Sequence, residues 1–325
     1  MTLETEMRRD VDNYEQTIGA LLSIAQHIKH EYKVDSWFGR KFRTSSSNSV
    51  SIDTDVIPDL SAQVDNNYGL IIEAKKNFSR TDDYEDGITQ AKKYDDNLKG
   101  WDTNTGLIAS HDIALLTHQL RGVTLEEHLN AKIAEFSQNR RIVIIEFTRD
   151  DEVNTSFIIR RRTTGLRNSA IDTKLKAGFG VKLEHLIPLG FSEIKFYDAE
   201  PPIAYTLQKI WDNVFSDIPD EDTYRASAGK KKIEIEISID KICNKLRDFA
   251  PRQNGARLPQ IPKKEWVERA MEMLIEIKLA KYKRDDANHI IPGEYVVFYR
   301  KFKKGDGSLD VFILKIAERM RQKRL

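Results

Sequence analysis

The sequence is short of several things, and each shortage narrows what it can be. One cysteine in 325 residues, Cys243, excludes an intramolecular disulfide and fits a reducing compartment. No run approaches the roughly 18 apolar residues that a bilayer span needs, so no membrane partner is expected. The opening MTLETEMRRD alternates acids and bases without an apolar stretch, which predicts no secretory signal and a cytoplasmic protein. Net charge is also nearly absent, at +1, so the chain as a whole is no basic nucleic-acid sponge. No P-loop, G-x-S-x-G element or His/Cys metal spacing is present, which leaves ATPase, serine-hydrolase and zinc chemistry without a motif.

What is present is charge, 32% of residues, and enough apolar material, 40%, for one or more cores. The charge is clumped: Arg160-Arg161-Arg162, Lys230-Lys231-Lys232 and Lys301 to Lys304 are basic runs, and local patches of this kind engage phosphates. Periodicity predicts a helix over 4–31, with Tyr14, Ile18, Leu21, Leu22, Ile24, Ala25 and Ile28 as its apolar stripe. Short β-type runs follow at 50–53, 59–64 and 68–74, the last two separated by the turn signal Asn66-Asn67. Asp82 and Glu85 have capping-box spacing for a helix to about 98. A strand at 105–109, a helix at 124–138 and two strands at 141–147 and 155–162 complete the pattern. Mixed strands and helices in this order predict an α/β domain built on a mixed sheet flanked by helices.

The chain divides, on this reading, into a first domain over 1–165, a connecting region over 166–229 with a helix at 203–215, and a C-terminal α+β domain over 230–325. In the last, helices at 239–249 and 263–280 precede apolar runs at 295–302 and 309–316, taken as a hairpin around Gly305-Asp306-Gly307. That order resembles a winged helix. Such a domain places a helix in the DNA major groove, here the one bearing Lys263, Lys264 and Arg269. The competing expectation is a protein partner that meets an exposed Trp266, Met271 and Met273. Cys243 falls in an apolar-periodic segment and is expected to be a buried small hydrophobe.

Chemistry concentrates in Pro58-Asp59 and, thirteen residues on, Glu73-Ala74-Lys75. Alternation along a strand puts Glu73 and Lys75 on one face. A turn at 66–67 folds Asp59 back toward them. Two carboxylates beside an amine suit phosphodiester hydrolysis: oxygen donors hold Mg²⁺ or Mn²⁺, and the lysine balances charge in the transition state. The pattern resembles the PD-(D/E)XK nuclease superfamily, and so does the order helix, three strands, helix, strand. Gln90-Ala91-Lys92-Lys93-Tyr94 is similar to the Q-x-x-x-Y element of its RecB-type branch. The resemblance covers about residues 1–147. It implies a restriction-endonuclease-like fold and a Mg²⁺-dependent deoxyribonuclease of restriction or defence type, with DNA as its partner. Asp59, Glu73, Lys75, Gln90 and Tyr94 would be its catalytic residues. Asp59, Glu73, the carbonyl of Ala74 and, from the first helix, Glu15 would be its metal ligands. A homodimer is expected because enzymes that cut both strands often pair. Asp55 rivals Asp59, Lys76 is a phosphate contact or a solvated base, and His111 lines the cleft or caps a strand. The alternative function is a catalytically silent nucleic-acid-binding or assembly protein that keeps the nuclease fold.

Overall fold

A computed structural model describes residues 1–32, 36–38, 42, 56–75, 81–103, 106–137, 140–149, 156–163, 165–182, 196, 200–218, 233–248, 252–253, 256–257, 262–300, 302 and 307–324. The first helix, α1 (Leu3–Tyr32), buries Val11, Tyr14, Ile18, Leu21, Leu22, Ile24, Ala25 and Ile28, the predicted stripe extended by Val11 at its N-terminal end. Strands β1 (Ser36–Phe38), β2 (Leu60–Gln63) and β3 (Tyr68–Ala74) follow. The link between β2 and β3 is tied by Asp65, whose Oδ1 accepts from the amides of Asn67 and Tyr68 at 3.1 and 2.9 Å. Helix α2 (Thr81–Asn97) and the small hairpin β4 (Trp101–Thr103) with β5 (Gly106–Ile108) lead into β6 (Ser110–His118). Next come α3 (Gly122–Lys132), β7 (Ile142–Arg149), β8 (Ser156–Arg161), α4 (Ser169–Ala177) and β9 (Phe179–Lys182).

Seven of these strands form one sheet in the order β1-β2-β3-β6-β7-β8-β9. Its centre, β3, β6 and β7, is parallel, and the pairings outside it are antiparallel. Side chains alternate between two cores. Leu70, Ile72, Ala74, Ala114, Leu116, Val143 and Ile145 join α1 on one face. Ile71, Ile113, Leu115, Ile142 and Ile144 join α2 and α3 on the other. The α/β expectation holds at this level: a mixed sheet flanked by helices.

Two elements differ from the sequence reading. The strand expected at 105–109 is the edge of the β4–β5 hairpin, and the central strand is β6, which begins at Ser110 and contains His111. The apolar run 309–316 is helical, inside α8 (Ser308–Arg324). Its buried positions Phe312, Ile313, Ile316 and Ala317 have helical spacing, which the count of apolar residues alone concealed.

The rest of the C-terminal part contains α5 (Ile203–Lys209), continued by a π turn over Ile210–Phe215, then β10 (Ile233–Ser238) and α6 (Ile239–Asp248). The two-residue strands β11 (Arg252–Gln253) and β12 (Ala256–Arg257) precede α7 (Lys264–Glu276), β13 (Ala280–Arg284) and β14 (Ile290–Tyr299). An antiparallel sheet orders β10-β14-β13, so the hairpin is β13–β14. Helix α5, placed in the connecting region by the sequence, packs against α7 and α8. Trp211 is its hub: the indole stacks on Phe302 at 5.4 Å, meets Phe312 at 5.5 Å and donates to the Arg300 carbonyl at 3.2 Å. Cys243 is buried, as its periodicity suggested. Trp266 and Met271 are buried too, which removes the exposed contact face expected of them. Among the described residues, no helix is long and apolar enough to cross a membrane.

Candidate active site

The β2–β3 register pairs Leu60 with Ile72 and Ser61 with Ile71. One step further sets Asp59 opposite Glu73. Both lie on the α2 face of the sheet, since Ile71 belongs to that core and Ile72 to the other. Both are nearly buried, at 4% and 5% exposure, so each must be compensated. Asp59 Oδ2 accepts the backbone N–H of Ala74 at 2.7 Å, which clamps the start of β2 to the end of β3. Glu73 Oε1 is 2.9 Å from Lys75 Nζ, and its Oε2 is 2.5 Å from the Tyr94 hydroxyl. The same hydroxyl lies 3.2 Å from the Ile57 carbonyl; its single proton serves the shorter contact to the carboxylate. Helix α2 thus reaches into the site through Tyr94. Gln90, partly buried, sits one turn earlier on the same side of the helix.

Burial works against a charge on Lys75, but Glu73, Asp59 and Asp86 outweigh it, and its pKa is raised. The side chain is therefore an ammonium at neutral pH. Two carboxylates against one ammonium leave the centre net negative, with Asp86 adding to it. Hard oxygen donors in a negative, nearly buried cluster fit a divalent cation such as Mg²⁺. Each carboxylate oxygen has two lone pairs, so the contacts to Lys75 and Tyr94 do not exhaust Glu73. Among the described residues no three His, Cys, Asp or Glu side chains converge. Two carboxylates would leave the other positions to water and substrate, as is usual for Mg²⁺.

Of the residues singled out from the sequence, Asp59, Glu73, Ala74, Lys75 and Tyr94 come together. The Ala74 amide holds Asp59, while its side chain points into the α1 core. Glu15 stands on α1, against the opposite face of the sheet, half-exposed and 3.6 Å from Lys209. Asp55 and Lys76 lie outside the described residues. His111 is an interior sheet residue at 1% exposure, beside Trp101 at 5.4 Å. Burial, with Arg140 and Arg167 nearby, pushes its pKa down to about 3, so it is neutral.

Sequence reasoning missed three buried acids: Asp95, which accepts from Ser137 and Arg140, and two more on the sheet. Asp112, at the head of β6, accepts from Arg141 N and Arg167 Nε on Oδ1 and from Tyr68 Oη and Arg167 N on Oδ2, all at 2.8–2.9 Å. Glu146, on β7, holds Arg160 and Arg162. The available signal was an acid set inside an apolar run, Ile142 to Phe147.

Comparison with protein-family models found no match, and comparison with curated proteins found none.

Proposed function

We propose that this protein is a metal-dependent nuclease that hydrolyses DNA phosphodiester bonds, with a restriction-endonuclease-like core. The observation that carries the reading is the placement of Asp59 opposite Glu73, with Lys75 and Tyr94 both on the Glu73 carboxylate. Asp59 and Glu73 would hold the cation, Mg²⁺ or Mn²⁺. When bound, it polarises the phosphoryl oxygen and lowers the pKa of attacking water. Lys75, an ammonium, stabilises negative charge that builds on the phosphoryl group. Tyr94 fixes the rotamer of Glu73, and the Ala74 amide fixes Asp59, so both carboxylates are oriented before substrate arrives.

The C-terminal part supports a winged-helix-like reading: α5, β10, α6, α7, then the β13–β14 hairpin, with strand order β10-β14-β13. On α7, however, Lys264 pairs with Asp240 and Arg269 with Glu200, and Glu265 and Glu272 are exposed beside them. Acids thus accompany the bases along α7, so the helix offers phosphate little net attraction.

The test is incubation with supercoiled plasmid, linear duplex and single-stranded DNA, each with Mg²⁺, Mn²⁺ or EDTA. Metal-dependent cleavage by wild type, lost in Asp59→Ala and Lys75→Ala, is expected. DNA binding without cleavage under every metal would replace the nuclease with the catalytically silent binder.

A further inference from the structure

On the α2/α3 face the three parallel strands end in polar residues rather than apolar ones. Ala74 pairs with Leu116, Thr117 with Glu146, and Glu146 with Arg160. One step past the end of β3 adds Lys75 to that row. Lys75, Thr117, Glu146 and Arg160 therefore lie side by side across four neighbouring strands, all on the face that carries Glu73. Below them the same face is apolar, through Leu115 and Ile144. At about 4.8 Å per strand, the row extends the site roughly 14 Å from Lys75 to Arg160. It also follows the carboxyl ends of parallel strands, the edge at which open α/β sheets bind ligands.

Three features of the row concern an anion. Thr117 Oγ1, in a residue 1% exposed that lies between Lys75 and Glu146, is buried and has no hydrogen-bond partner among the described residues. A buried hydroxyl without a partner is costly unless something else completes it. Arg160 uses Nε on Glu146 Oε2 at 3.2 Å and keeps 54% of its side chain exposed, which leaves the rest of the guanidinium in solvent. Arg162 is built in more firmly, with Nη1 2.9 Å from Glu146 Oε1 and Nε 2.7 Å from Glu126 Oε2. Glu146 is 2% exposed, and a Cβ at Gly122 would come within 1.8 Å of its Oε1, so α3 begins directly over this carboxylate. Glu146 is thus a buried post that fixes the direction of Arg160.

We infer that this row is a second phosphate subsite, in which Arg160 and the Thr117 hydroxyl grip the backbone of the same nucleic-acid strand beyond the bond held at Glu73 and Lys75. The inference rests on the nuclease reading for its ligand but not for its measurement. Arginine suits the task because its planar fork matches phosphate and is never deprotonated. Glu146 is a positioning residue that does not touch the substrate.

The experiment is binding of fluorescently labelled single-stranded and duplex DNA in EDTA, over a range of salt, by wild type, Arg160→Ala, Arg160→Lys and Thr117→Val. Arg160→Ala should bind about tenfold more weakly and lower the salt slope by about one, the signature of one lost phosphate contact. Arg160→Lys should restore most of that slope, because it keeps the charge. Thr117→Val should weaken binding a few-fold with the slope unchanged. Matching thermal unfolding midpoints ensure that the comparison is between folded proteins. Wild-type affinity and slope in both Arg160→Ala and Thr117→Val would overturn the subsite alone. Wild type that binds no DNA would overturn the subsite and the nuclease together. Arginine-dependent binding by a protein that never cleaves would uphold the subsite and remove only the nuclease.

Discussion

Glu73 and Asp112 are buried carboxylates on neighbouring strands, at opposite ends of the parallel part of the sheet, and they are held differently. Asp112 takes four donors, two of them backbone amides from the segments that frame it, Arg141 and Arg167. Those donors cannot leave without unfolding. The donors seen on Glu73 among the described residues are side chains, the Lys75 ammonium and the Tyr94 hydroxyl; Tyr94 is buried in the core, while the partly exposed Lys75 can swing toward water or a ligand. Burial and a shifted partner therefore do not separate a structural acid from a functional one. What differs between these two is whether the donors seen among the described residues belong to the backbone.

That contrast is broken most easily through stability. Asp112→Ala leaves the buried Tyr68 hydroxyl and two backbone amides without their acceptor, and a loss of about 3–5 kcal/mol in urea unfolding is expected. Glu73→Ala should cost only about 1–2 kcal/mol, since Lys75 can turn to solvent. Equal losses would erase the distinction.

A pH measurement sharpens it. The folded His111 has its pKa pushed down to about 3, against 6.5 when unperturbed. Between those values the unfolded chain takes a proton that the folded chain refuses, so stability falls as pH falls through that window. His111→Gln should flatten the curve there by at most about 1.4 kcal/mol per pH unit. Identical curves for variant and wild type would show that His111 titrates normally. The smallest effect belongs to Tyr94→Phe, which removes one hydrogen bond from Glu73 and should cost about 1 kcal/mol of stability. No change on urea unfolding would mean that Tyr94 does not hold the carboxylate.

Much of this site was legible in the sequence because its information is local. Glu73 and Lys75 share a face by alternation alone, the turn brings Asp59 back, and Tyr94 comes from the resemblance of Gln90 to Tyr94 to a Q-x-x-x-Y element. Strand β6 was hidden for the opposite reason. A parallel strand buried on both faces reads as a continuous apolar run, here the short Ile113 to Leu116, and its polar head, His111 and Asp112, carries no strand signal. Glu146, Thr117 and Arg160 acquire meaning only from register across strands that are distant in sequence. Glu15 shows the limit of the motif: the sequence placed it on the first helix, and contacts from another part of the chain pair it with Lys209.

The most direct test of the central claim is single-turnover cleavage of one labelled DNA duplex by wild type and Lys75→Ala across a Mg²⁺ titration. The account predicts a wild-type rate that rises with Mg²⁺ and saturates, and a rate about 10²–10³-fold lower in the variant, the usual loss when one transition-state charge partner is removed. A wild-type rate independent of Mg²⁺, or equal rates in the two proteins, would contradict it.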